Sequence, residues 1–115
     1  MDAPAIDRAT FAELQDAAGA EFVAELVDTF LEDAPALLGE LRSARAATDA
    51  DRFRRAAHSL KSNCQTFGAS ALAALARELE LNGLTADAGA DAAAIDRIDA
   101  AFAQAAAELK NLRHG

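Results

Sequence analysis

An all-α fold, an antiparallel four-helix bundle with a short additional N-terminal helix, is the architecture this sequence predicts. Ala, Leu, Glu, Asp and Arg dominate its composition, and Ala, Leu, Glu and Arg lose little entropy in a helix. β-branched residues are too sparse to furnish a sheet. Apolar residues recur three and four apart along several long segments, as one-sided burial of a helix requires. At 115 residues the chain holds one domain, residues 1–115, with a single core.

The elements follow in chain order. Asp7 or Thr10 caps a short first helix, Thr10 with Glu13 having the form of a capping box, and Gly19 ends it. A long second helix follows in "EFVAELVDTFLEDAPALLGELRSAR", with Phe22, Leu26, Phe30, Leu37 and Leu41 on its core face. Pro35 lacks an amide hydrogen, so a kink or a break is expected there. The apolar register continues across it, which favours the kink. "ATDADR" turns the chain, with Asp49 or Asp51 as the next cap. The third helix runs from about Arg52 to Thr66 and stops near Gly68. Ser70 is the expected cap of the fourth, whose stripe is Leu72, Leu75 and Leu79. "NGLTADAGAD" reads as a loop. The last helix places Ile95, Ile98, Phe102, Ala105, Leu109 and Leu112 on one seam.

One of the two histidines, His58, lies in the third helix. With Leu60 as reference, Phe53, Ala56, Ala57, Cys64 and Phe67 fall within about 60° of the buried direction. His58 lies roughly 160° away and faces outward. Arg54, Arg55, Lys61, Ser62 and Gln65 share that face within a turn or two of the ring. Cations beside an imidazole disfavour its protonated form and favour negative charge arriving on it. No carboxylate lies within a turn of His58 along this helix.

Composition bounds the alternatives. A formal net charge of −8 with no basic run argues against nucleic acid and anionic membrane surfaces as partners. A single cysteine leaves no internal disulfide framework and points to a reducing, cytoplasmic location. The start "MDAPAIDRAT" lacks a signal-peptide core, and the initiating Met and polar tail favour a free-standing protein. No metal site is expected, because Cys64 points about 120° from His58 and His114 sits in the tail. Ser59 and Ser62 beside His58 lack the orienting acid of a hydrolase triad. Phosphate-loop and kinase motifs are missing, so ATP binding and an ATP-dependent kinase activity are not expected.

"AAHSLKSNCQTFGASALAALARELE", residues 56–80, closely resembles the signature of histidine-containing phosphotransfer (HPt) domains. Ala57, His58, Leu60, Lys61, Gly68, Leu72, Leu75, Leu79 and Glu80 fall in register with it, and "FLEDAP" and the length extend the likeness. The resemblance implies a four-helix bundle whose exposed histidine takes a phosphoryl group from a receiver-domain aspartate. A second receiver then takes the group from the histidine in a multistep, two-component phosphorelay. It casts His58 as phosphoacceptor and Lys61 as a phosphate-stabilising neighbour. Glu80, where the family often has Gln, would hydrogen-bond the non-reacting ring nitrogen from the fourth helix. Ser62 departs from the usual Gly; it is small enough to leave room beside the ring, yet it can narrow a receiver's approach. Arg54, Arg55 and Gln65 are the expected partner-binding residues, on a docking face formed by the second and third helices. Response-regulator receivers and a hybrid sensor histidine kinase are the implied partners of a monomeric chain. No cofactor is expected on this chain, Mg²⁺ belonging to the receiver. The alternative is an HPt-fold interaction module that binds a receiver or sensor kinase without accepting phosphate.

Overall fold

The computed structural model describes residues 5–113. Among them are five helices: α1 (Arg8–Ala18), α2 (Ala20–Ala46), α3 (Ala50–Thr66), α4 (Ser70–Asn82) and α5 (Ala88–Leu112). Turns of three, three and five residues join α2 through α5, too short for anything but antiparallel neighbours. Both α2 and α4 pack against α3 and α5, which closes the four-helix bundle, while α1 lies on α2. The 27 residues of α2 span about 40 Å at 1.5 Å per residue. That nearly accounts for the molecule's 44 Å long axis.

Each helix starts and stops for a local reason. The Asp7 carboxylate accepts hydrogen bonds from the amides of Ala9 and Thr10 and so caps α1. Thr10 therefore lies inside α1, and the Thr10–Glu13 capping box does not form. Asp49 caps α3 through the Arg52 amide, with Asp51 in its first turn. Asp87 caps α5 through the Ala90 amide. Ser70 does not cap α4 as expected: it is the first residue of the helix, and Ala69 occupies the cap position without a side-chain bond. The α4–α5 loop is also shorter than the sequence suggests, since Ala88 to Asp91 already belong to α5. α2 runs unbroken through Pro35. Its ring is on the exposed face, where water can serve the carbonyl left without an amide partner.

The core is one cluster drawn from all five helices. Leu41, Phe53, Leu60, Ile98 and Leu109 are all 0% exposed, and burying such a side chain stabilises the fold by about 1.5–3 kcal/mol. Phe30 joins three elements, its ring lying 5.2 Å from that of Phe67 and 5.8 Å from that of Phe102. The stripe of α2 differs from the expected one by about a residue. Val23, Val27, Phe30, Ala34, Leu38 and Leu41 are buried, Leu26 and Leu37 only half-buried, and Phe22 is 53% exposed. Both sets satisfy a helical repeat, and small Ala34 supplies the close helix contact that a search for large residues overlooks. On α4 the buried set is Leu72, Ala73, Ala76 and Leu79, with Leu75 at its margin. Phe102 and Leu112 sit likewise at the margin of the α5 seam.

Two tertiary contacts lock the helix ends. Asp91 is 4% exposed and accepts hydrogen bonds from the Thr85 amide (3.1 Å) and hydroxyl (2.8 Å). The Arg45 guanidinium lies 3.4 Å from the same carboxylate, which ties the α4–α5 loop to the end of α2. At the opposite connection Gly68 has φ +76°, and a Cβ built on it would stand 2.9 Å from Thr10 Cβ and 3.0 Å from the Asp7 carbonyl oxygen. The Asp7 amide donates to the Gly68 carbonyl at 2.8 Å, so α1 begins against the α3–α4 turn.

Gly68→Ala should destabilise the protein by more than about 1 kcal/mol, because both conformation and space are lost. A urea titration followed by circular dichroism checks this, and an unchanged midpoint would contradict the docking of α1 on that turn.

Candidate functional site

α3 positions the site. Its buried stripe is Phe53, Ala56, Ala57, Leu60 and Cys64, none more than 4% exposed. With that face filled, the remaining directions open to water, and the His58 side chain is 58% exposed. Helical side chains lean toward the N-terminus, so the ring lies over the turn that carries Arg54 and Arg55.

Glu80 reaches the ring from α4. Its Oε2 is 2.5 Å from His58 Nδ1, and its Oε1 accepts from Lys61 Nζ at 2.6 Å. One carboxylate is thus shared by two residues of α3. The Lys61 hydrogen bond, with the His58 contact adding to it and partial burial opposing it, holds the Glu80 carboxyl below its usual range. An ionised carboxylate has no proton to give, so the hydrogen in the His58 contact sits on Nδ1. The neutral ring is then the Nδ1–H tautomer with its lone pair on Nε2. Nε2 has no protein partner among the described residues.

The open space beside the ring is a shallow depression lined by Asp51, Arg54, Arg55, His58, Ser59 and Glu80. Arg55 Nε pairs with Asp51 Oδ2 at 3.1 Å across one helical turn. Arg54 is exposed and has no salt bridge among the described residues. Lys61 does not face this depression; its side chain is 19% exposed and directed to Glu80. Ser62 and Gln65 are exposed farther along the helix, the Ser62 carbonyl accepting from the Thr66 hydroxyl at 3.1 Å. On the other flank of α3, Ser59 borders a groove toward α2 lined by Asp33, Ala36, Leu37 and Asn63. Beyond it, Arg52 Nε donates to Glu40 Oε1 at 2.7 Å and links α3 to α2.

Two lining residues were not among the sequence candidates. Asp51 stands seven residues before His58, about 20° away on the helical wheel; a search two turns out would have found it. Ser59 has no such signal, because its value as a lining residue depends on where α2 and α4 lie. Burial pushes the Cys64 thiol up to about 12, so it is protonated at neutral pH and no nucleophile. His114 lies outside the described residues. Among those residues no group of three or more His, Cys, Asp or Glu is placed to hold a metal ion. None of their helices is long and apolar enough to cross a membrane.

Comparison with known proteins bears on this arrangement. The family model for the Hpt domain matches residues 25–113. The chain is 38% identical over 68 residues to the sensor protein TorS of Escherichia coli K12, a match spanning 59% of this chain and 7% of that protein. The crystal structure of histidine-containing phosphotransfer protein B (HptB) from Pseudomonas aeruginosa PAO1 is 31% identical. It superposes with a TM-score of 0.85, covering 98% of this chain and 97% of that one.

Two measurements check the Glu80 contacts. In wild type, two-bond nitrogen–proton spectra at alkaline pH should show the Nδ1–H tautomer of His58, and Glu80→Ala should shift it toward Nε2–H; identical spectra would show that Glu80 does not set the tautomer. The second is pH dependence. A carboxyl held low in the folded state contributes stability that is present above its unfolded pKa and lost as pH falls through its folded pKa. The stability advantage of wild type over Glu80→Gln should therefore be constant at neutral pH and shrink below the ordinary glutamate range. An advantage that persists undiminished once carboxylates are protonated would contradict the depressed Glu80 carboxyl and its Lys61 contact.

Proposed function

The chain belongs to the Hpt domain family, and on that premise we propose that it is a phosphorelay carrier in which His58 is the phosphoacceptor. The observation that carries this is the exposed ring held by Glu80 through Nδ1, with Nε2 unpartnered among the described residues. The donor is an acyl phosphate on a receiver-domain aspartate. The Nε2 lone pair attacks phosphorus, the N–P bond forms, and the P–O bond breaks with its electron pair returning to the aspartate oxygen. The ring becomes a phosphoimidazolium, still protonated on Nδ1 and facing the Glu80 carboxylate, which offsets the new positive charge. Onward transfer is the reverse at a second receiver: its aspartate attacks, the N–P electrons return to Nε2, and the neutral tautomer is regenerated.

This division of labour suits a small bundle. The chain supplies a positioned nucleophile, and the receiver supplies the acceptor aspartate and Mg²⁺, so catalysis is mainly orientation and charge neutralisation. Docking would use the surface on both flanks of His58, the groove between α2 and α3 and the depression beside Glu80. Two-component receivers and a sensor kinase are the proposed partners, met as a monomer in the cytoplasm.

The test is transfer from a phosphorylated receiver. Wild type should acquire acid-labile, base-stable label that His58→Gln lacks. Lys61→Ala should slow labelling and Lys61→Glu slow it further, with helicity unchanged in both. Label that persists in His58→Gln would sink the proposal, and tight receiver binding without any label would favour a pure interaction module.

A further inference from the structure

We propose that Arg54 is the residue that binds the phosphoryl oxygens during transfer at His58, and that Lys61 serves the reaction by positioning the ring through Glu80. This rests on the phosphocarrier role proposed above and names the anion site within it. Three cations stand within a turn of His58, and the structure gives them different employments. Lys61 is committed to Glu80 at 2.6 Å with its side chain only 19% exposed. The Arg55 charge is offset by Asp51 at 3.1 Å. Arg54 alone of the three has no ion pair among the described residues.

Position agrees with charge. The free volume beside the ring is bounded on α3 by Asp51, Arg54, Arg55 and Ser59, and neither Lys61 nor Ser62 lines it. Arg54 lies one turn before His58, about 6 Å along the axis, a distance its side chain can span. A transferring phosphoryl group spreads negative charge over three equatorial oxygens. The planar guanidinium meets two such oxygens at once, which a compact ammonium cannot do. The need is pronounced here, because the chain carries a formal net charge of −8 and its long-range field repels a phosphate dianion.

Two phosphodonors separate this role from partner docking. One is a phosphorylated receiver domain; the other is phosphoramidate, a small donor whose P–N bond breaks with release of ammonia as His58 Nε2 bonds to phosphorus. Arg54→Ala should slow His58 labelling about tenfold or more with both donors. Arg54→Lys should recover part of the rate, and Arg55→Ala should have a smaller effect. The ring-nitrogen spectrum of His58 should be unchanged in Arg54→Ala and altered in Lys61→Ala, which distinguishes anion binding from ring positioning. A wild-type rate for Arg54→Ala with phosphoramidate overturns the assignment, even if transfer from the receiver is slowed. Wild type labelled by phosphoramidate but by no receiver would fail the relay role, and Arg54 would still be judged by the small donor. Labelling by neither overturns both.

Discussion

α3 has only one way to lie in this bundle, and the site depends on it. Phe53, Ala56, Ala57, Leu60 and Cys64 fill the space it faces and are 0–4% exposed. A rotation by one residue turns a helix through about 100°, which would lift Leu60 toward water and press an arginine into an apolar interior. The first loses burial energy and the second desolvates a charge that has no partner there. Interiors are close-packed and do not deform continuously. His58 therefore projects outward as a consequence of what lies on the opposite face of its own helix.

Outward projection alone would leave a freely rotating imidazole. What converts it into an oriented group is a carboxylate from a different helix, held between His58 and Lys61. Lys61 holds the Glu80 carboxyl below its usual range, the ionised carboxylate keeps the proton on Nδ1, and the ring lone pair is left on Nε2. This chain of contacts reverses the simplest electrostatic account of the α3 face, in which cations alone surround the ring. The nearest charge to the imidazole is negative, and a cation stands behind it. A carboxylate so placed offsets any positive charge that arises on the ring.

The connections protect this register. Gly68 permits the tight α3–α4 turn and the docking of α1 upon it, while Asp91, Thr85 and Arg45 tie the α4–α5 loop to α2. Because α4 is held at both ends, Glu80 is presented at a set height beside α3. The Arg52–Glu40 pair links α3 to α2 on its other side.

Periodicity and composition by themselves determined the all-helical class, the approximate helix spans, the outward direction of His58 and the burial of Cys64. Each depends on contacts within a few residues or on the 100° step of a helix, which any sequence carries openly. The resemblance to HPt domains singled out Glu80 as well. Tertiary structure decided the rest. The α2 stripe shifted by about a residue because three neighbouring helices and small Ala34, not residue size, set which side is covered. Phe22 came out exposed, Ser70 did not cap, and Asp91 became a buried anchor. The sharing of Glu80 between His58 and Lys61, and the standing of Arg54 as the one of the three cations beside His58 with no ion pair among the described residues, likewise came only from the fold. The two Glu80 contacts join residues 22 and 19 positions apart, and no local rule fixes a distance between side chains that meet only when two helices pack.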